Sequence, residues 1–478
     1  MHYKEKKKVR ELLQVSIDGL VEKNVTRQSK KTMGQIRNSL SLVKEILEKE
    51  TIRPDNTLDQ LSKLQELAAQ AYAKEECKEL CDNLMQSFDR EIEGRFKVVF
   101  FPYKASMWDS LETIYLAASK DGSCDVDVVP IPYYQLSENG AKPSYEGDQF
   151  PSNISITHYS SYDLEKERPD IIFVHNIYDQ YNTLTRVYDQ YFTSNLKKYT
   201  DMLVYVPYCL FSFVPPKPGS SVETIAYGLP GVANVDRIIL LGEYLEKAAL
   251  KYGVPSDKLL TLGSPKTDKL VRSLRQGVEY PKHWYTKFDN KTVFLLDTQL
   301  AFFATTNPLE QLELLIKVLN IPNIIDDSVL IWRPHPLMST ALAKYAPYLL
   351  DYYTDLVKRI GENEYSNVVF DDNPDYFPAL LAADTYLGTI ASLMLQFLIS
   401  GKKVVMLTPE LPEESLVPNT VFYYFRDADW IELLRGFAGG EDPKAPMRRG
   451  ALDGVFSNID GTSGEKIFDV IKAQAFGE

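Results

Sequence analysis

Apolar residues fall into two rhythms along this chain. Over residues 1–95 they recur at helical spacing, in Val9–Leu13–Ile17–Val21, in Ile36–Leu40–Val43–Ile46–Leu47 and in Leu58–Leu61–Leu64–Leu67. Such stripes predict amphipathic helices. Arg53-Pro54-Asp55-Asn56 separates the second stripe from the third, because Pro54 cannot continue a helix. The stripes call for a covering surface: a second copy, a membrane surface or the domain that follows. Deletion of residues 1–90 is therefore expected to leave a folded core and to change association or membrane-surface attachment.

From Phe96 the rhythm becomes short apolar runs alternating with helical stretches. Phe96–Phe101, Val126–Ile131, Ile171–Val174, Leu203–Val206, Arg237–Leu241 and Leu259–Leu262 read as strands, with a long tyrosine-bearing polar loop (Tyr133, Tyr134, Tyr145) after the second. The pattern restarts at Thr292–Leu296 and runs through Val329–Trp332, Asn367–Phe370, Thr385–Gly388 and Lys403–Leu407. Strands alternating with helices predict parallel sheets covered on both faces. The expected fold is α/β, with two doubly wound Rossmann-like domains and an N-terminal helical extension. The expected divisions are a helical region 1–95, a first domain 96–275 on the acceptor side, a second domain 290–410 on the donor side, and C-terminal helices 411–478 packing back. Lys282-His283-Trp284-Tyr285 interrupts the pattern between the two domains.

Composition narrows the function classes. A chain of 478 residues exceeds a single core and suggests two or three domains. Its net charge of −13 argues against a nucleic-acid binder. The four cysteines are too few and scattered for a disulfide framework, which favours a reducing, cytoplasmic setting. Cys77 and Cys81 lack further ligands nearby, so no metal site is expected, and no cofactor. No apolar run of about eighteen residues offers a membrane span. The basic start (Lys4, Lys6, Lys7, Lys8, Arg10) leaves room for peripheral contact with an anionic inner-membrane face. Homo-oligomerisation stays open.

Candidate chemistry gathers at strand ends. The run Val329–Trp332 is stopped by Pro334 and Pro336, which leaves Arg333 and His335 at the carboxyl end of a buried strand. Ligands of open α/β sheets bind in that crevice. Arg carries a fork of donors for phosphate, and His moves a proton near neutral pH. In the first domain His175 follows the strand Ile171–Val174, with Asp179 four residues on and Tyr178, Tyr181 and Asn182 beside it. Attack of an alcohol on a diphosphate needs a base and positive charge. His175 is the candidate base, Asp179 its orienting partner or an acceptor ligand, and Tyr178, Tyr181 and Asn182 suit a polyol or sugar. Lys104 and Trp108, in the loop after the first strand, join that acceptor side.

Trp332-Arg333-Pro334-His335-Pro336, Gly263-Ser264-Pro265-Lys266-Thr267-Asp268 and the strand–turn–helix at Ala391-Ser392, in this order, resemble the CDP-glycerol glycerophosphotransferase family. The likeness covers roughly residues 95–410. It implies a fold of the glycosyltransferase-B type, transfer of a polyol phosphate (glycerol phosphate or ribitol phosphate) from a CDP-activated donor, and a role in teichoic-acid-type polymers. It further implies donor binding by Arg333, His335, Ser392 and Thr389, with Ser264 and Lys266 from the second motif, and His335 as a catalytic group. Two segments depart from the family pattern. Tyr205-Val206-Pro207-Tyr208-Cys209 stands where the family carries Trp-His-Gly-Thr-Pro, and Gly388-Thr389-Ile390-Ala391-Ser392 where it carries Thr-Asp-Tyr-Ser-Ser. Three functions stay open: a CDP-polyol transferase, a glycosyltransferase using a nucleotide sugar, and a non-catalytic nucleotide-binding or scaffold protein. The partners implied are a nucleotide donor and a polyol or glycan acceptor.

Overall fold

The computed structural model describes residues 1–21, 30–70, 74–137, 140–210, 217–303, 305, 307–425, 429–448 and 450–476. Contacts divide the chain into two bodies, Met1–Val98 with Ser119–Val126, and Val99–Ala118 with Asp127–Glu478.

The first body holds four helices, α1 (Tyr3–Val21), α2 (Lys30–Leu47), α3 (Asp55–Gln70) and α4 (Lys74–Glu91). Their stripes bury one another: Val9, Leu13, Ile36, Leu40, Val43, Leu61, Leu64, Leu84 and Phe88 form one core. The expectation that these stripes need an external cover is thereby corrected, because each helix is amphipathic and the four together close the apolar faces. Cys81 is part of that core, while the side chain of Cys77 lies outside the described residues. Arg10 is bidentate on Asp89 at 2.9 and 3.0 Å, and Glu91 accepts from the Thr57 amide at 2.9 Å near the start of α3.

The strands are β1 (Phe96–Phe101), β2 (Cys124–Val128), β3 (Tyr133–Ser137), β4 (Gly140–Ser144), β5 (Ile171–Val174), β6 (Thr185–Val187), β7 (Met202–Tyr205), β8 (Arg237–Ile239), β9 (Leu259–Leu260), β10 (Thr292–Thr298), β11 (Ser328–Pro334), β12 (Val368–Phe370), β13 (Thr385–Gly388), β14 (Lys403–Met406) and β15 (Tyr423–Tyr424). The first large sheet has the order β2-β1-β5-β7-β8-β9, and the second β12-β11-β10-β13-β14-β15. Every neighbouring pair in the second is parallel. Their runs are buried on both faces, as helix-covered parallel strands require. The protein is thus α/β, with two doubly wound Rossmann-like halves.

Two elements differ from the sequence reading. The tyrosine-bearing loop folds into an antiparallel sheet, β4-β3-β6, with Tyr133 opposite Ser144 and Val187; β3 and β4 are too short and polar to stand out as strands. The second sheet also extends past residue 410 to β15, inside the segment assigned to helices. The helix Ser463–Phe476 then returns to the first half. Both carboxylate oxygens of Asp268 accept from its first amides, Ser463 at 2.9 Å and Gly464 at 2.6 Å.

Strand order locates the crevices. In each sheet the connections reverse direction once, between β1 and β5 in the first and between β10 and β13 in the second. Ligands of doubly wound folds bind beyond the carboxyl ends of the strands at that reversal.

Candidate functional site

At the first reversal the chain leaves β1 through the segment Tyr103–Ser110, and β5 ends at His175. His175 is fully buried. Its Nε2 accepts from the Tyr103 amide at 3.1 Å, and its Nδ1 lies 3.1 Å from Ser110 Oγ. Ser110 Oγ donates its own proton to the Met107 carbonyl, so Nδ1–H is the donor to Ser110. Burial holds the ring neutral, with its pKa lowered from 6.5 to about 3. A base needs an exposed lone pair, and both nitrogens here are committed to the protein. The expectation of His175 as general base is corrected: it ties down the loop after β1.

Asp179 does not touch His175. It sits in the left-handed region at φ 47°. Its carboxylate accepts from Thr193, at 3.0 Å from the amide and 2.6 Å from the hydroxyl. It is a cap for the turn at Thr193, and its burial raises its pKa. Tyr178 is likewise withdrawn from an acceptor role. Its ring packs 6.2 Å from Tyr208, and its hydroxyl bonds within the cluster of Tyr205 and Tyr208. Asn182 Oδ1 accepts from the amides of Leu184 and Thr185, fixing a turn; of this group Tyr181 alone is open to solvent. Trp108 is core, edge-on to Phe100, Tyr115 and Phe150. Sequence spacing brought these residues near a strand end, but their side chains turn into the protein rather than the crevice.

Ser264 and Lys266 also leave the donor set. Ser264 is the N-cap of the helix Pro265–Gln276. Lys266 Nζ grips Asp109 at 2.6 and 2.8 Å, with both residues buried. Asp109 accepts as well from Tyr376 Oη of the second half at 2.6 Å.

Lys104 has a different setting. Its ammonium lies 5.3 Å over the Tyr133 ring and makes no hydrogen bond among the described residues. Burial lowers its pKa, opposed by nearby Glu146. Glu146 itself accepts from the Ala105 amide at 2.9 Å and from Tyr133 Oη, so the carboxylate fixes the backbone on which Lys104 rides. Lys104 is close enough to His335 of the second half to depress its pKa.

His335 follows β11. Its amide donates to the Thr298 carbonyl at 2.8 Å, and its Nδ1 accepts from the Leu337 amide at 3.1 Å. Burial first, then Lys104, lowers its pKa from 6.5 to about 4. A neutral imidazole with Nδ1 accepting carries its proton on Nε2. His335 therefore presents an N–H donor rather than a base. Arg333 is half committed: one guanidinium nitrogen donates to Asp371 at 2.5 Å and the other to the Asn373 carbonyl at 2.7 Å. Together Arg333 and His335 line a cavity of about 320 Å³ with Ser339, Tyr353, Thr354 and Asp371.

At the reversal in the second sheet, β13 ends at Gly388 and the turn runs through Thr389 into the helix Ser392–Ile399. Ala391 precedes that helix and supplies no side-chain cap, so the first amides stay open. A Cβ at Gly388 would lie 2.5 Å from Tyr386 Oη; the bare glycine lets the phenol fold beneath the turn, where it donates to Asp297 at 2.9 Å. Asp297, at the end of β10, is buried, and that burial raises its pKa to about 6, against the bonds from Tyr386 and Gln299. The sequence reading stopped its strand at Leu296 and so passed over Asp297. The strand-end argument used for Arg333 would have found it. Glu146, Asp109 and Tyr376 had no such signal, since their partners are distant in the chain.

Among the candidates, then, the structure brings together Lys104, His335, Thr389 and the helix start at Ser392 around the crevice, with Arg333 at its margin. No family model matches the chain, and neither does any curated protein. Solved structures are similar in fold. A protein from Listeria monocytogenes assigned as a UDP-N-acetylglucosamine 2-epimerase has 12% identity and a TM-score of 0.51, over 80% of this chain and 98% of that one. S. aureus MnaA, in a co-structure with UDP, has 12% identity and a TM-score of 0.50, over 79% and 96%. A wall teichoic acid polymerase, TagF, has 12% identity and a TM-score of 0.49, over 88% and 98%. At these identities the likeness is one of architecture: two Rossmann-like domains of the glycosyltransferase-B type.

Proposed function

We propose that this protein is a transferase using a nucleotide-diphosphate donor, with a CDP-activated polyol as the first candidate and a hydroxyl acceptor in cell-surface polymer synthesis. One observation carries the reading. Lys104, a partly buried ammonium with no hydrogen-bond partner among the described residues, faces the Nε2–H of His335. Positive charge and fixed N–H donors are what a diphosphate requires. The open amides at Ser392 add the helix-start arrangement that favours anions. The adjoining 320 Å³ cavity is of a size that suits the nucleoside. In the reaction, the acceptor oxygen bonds to the β-phosphorus, the bond from that phosphorus to the bridging oxygen breaks, and CMP leaves. The acceptor's proton goes to a base other than His175.

A nucleotide sugar is the second reading, favoured by the UDP held by S. aureus MnaA. Thermal shift with CDP-glycerol, CDP-ribitol, CDP, UDP-N-acetylglucosamine and UDP separates the two, since a ligand stabilises the state it binds. Stabilisation by the cytidine compounds alone, lost in Lys104→Met, is the expected result. Stabilisation by the uridine compounds alone replaces the donor. No shift with any of them refutes the transferase reading in favour of a scaffold.

A further inference from the structure

We propose that Tyr376 is a positioning residue: its hydroxyl latches the segment Tyr103–Ser110 to the second half and so sets where Lys104 meets the donor. The inference rests on the donor reading above. The segment is held at three places. His175 takes the Tyr103 amide at 3.1 Å and approaches Ser110 Oγ at 3.1 Å, and Glu146 takes the Ala105 amide at 2.9 Å. All of those partners belong to the first half. Asp109 alone reaches across, to Tyr376 Oη at 2.6 Å.

The chemistry of this third attachment is unusual for a surface of contact. Asp109 and Lys266 are 3% and 6% exposed, and their ion pair is closed by a phenol from the other half. Burial, and then the Asp109 charge, pushes the Tyr376 pKa well above its ordinary value, so the hydroxyl keeps its proton. A phenol has one proton, and it goes to the carboxylate. Gln396, 3.2 Å from the same oxygen, then completes the chain by presenting its amide nitrogen. Gln396 is 2% exposed and lies on the helix Ser392–Ile399, whose open start borders the candidate donor site. One buried path therefore runs from that helix through Gln396, Tyr376 and Asp109 to the segment that carries Lys104. The helix Pro265–Gln276, which supplies Lys266, packs on the same pair of second-half helices, with Lys269 Nζ 4.6 Å over the Phe377 ring. A hydrophobic contact would hold the halves together as well; only a directed bond fixes the register of Asp109, and with it the ammonium five residues earlier.

The test is a double-mutant cycle of Tyr376→Phe and Lys104→Met, read by calorimetric titration of CDP-glycerol, or of UDP-N-acetylglucosamine if that is the compound bound. Loss of a bond to a charged acceptor predicts about tenfold weaker binding in Tyr376→Phe. In the Lys104→Met background the same change should alter affinity less than about twofold, since coupled residues are not additive. Equal effects in both backgrounds, or no effect in either, overturn the positioning role. Hydrogen exchange without ligand examines the latch itself. Faster exchange confined to residues 103–110 in Tyr376→Phe, and in Asp109→Asn as a second variant, supports it; unchanged exchange in both overturns it. Wild-type protein that binds neither compound refutes the donor reading and the positioning role with it, and the exchange result still judges the latch.

Discussion

If His175 is a buried neutral pin, the protein carries a built-in acid sensitivity whose size follows from its surroundings. The unfolded ring takes up a proton as pH falls through 6.5, whereas the folded ring does not until about 3. Between those values the unfolded state binds more protons, so stability is lost as pH drops. At pH 5 the unfolded ring is protonated by about 1.5 pH units of driving force, or about 2 kcal/mol at 1.36 kcal/mol per unit. His175→Gln removes the titration while keeping an oxygen for the Tyr103 amide and an N–H for Ser110. Comparing each protein at pH 7 and pH 5 by thermal unfolding isolates this ring, because His335 and Asp297 titrate in both and cancel. The wild type should lose about 4–8 °C more than the variant, given about 2–4 °C per kcal/mol for a body of a few hundred residues. Parallel pH profiles would refute the pin. A large loss of turnover in a variant with unaltered stability would restore His175 as a base.

Asp179→Ala should cost about 1–2 kcal/mol through the lost cap on Thr193, seen as a lower unfolding temperature, with donor binding unchanged in titration. Lys266→Met leaves Asp109 charged and buried and should destabilise by about 3–5 kcal/mol; adding Asp109→Asn should recover much of that in denaturant unfolding, and a purely additive pair would count against the ion pair. Asp297→Asn should stabilise the protein at pH 8 by up to about 3 kcal/mol, because burial raises this pKa from 3.8 to about 6 and the charged form is the costly one. At pH 4, where both states are largely protonated, thermal unfolding should show little difference.

Much of the architecture could be read in advance because parallel strands buried on both faces are near-continuous apolar runs. Val329–Trp332 and Ile171–Val174 announce themselves in that way. The antiparallel insertion did not, since β4 reads Gly-Ala-Lys-Pro-Ser and is exposed along most of its length. Site residues divided along a similar line. Arg333 and His335 were placed correctly at a strand end, but their partners were invisible: the Leu337 amide that fixes the His335 tautomer is a matter of turn geometry. His175 failed as a base because its neighbours, Tyr103 and Ser110, are 72 and 65 residues away in the chain. Position at a strand end follows from local pattern; the direction a side chain faces is decided by tertiary partners.

The tautomer of His335 has a kinetic consequence. Its ring donates a proton while carrying no charge, so Lys104 is the principal cation of the crevice in a chain of net charge −13. A dianionic ligand therefore approaches against the long-range field of the protein and is held only at short range. Added salt shortens that field to about 8–10 Å near 0.1 M. Capture should quicken with ionic strength, the reverse of the behaviour of a pocket walled with lysines.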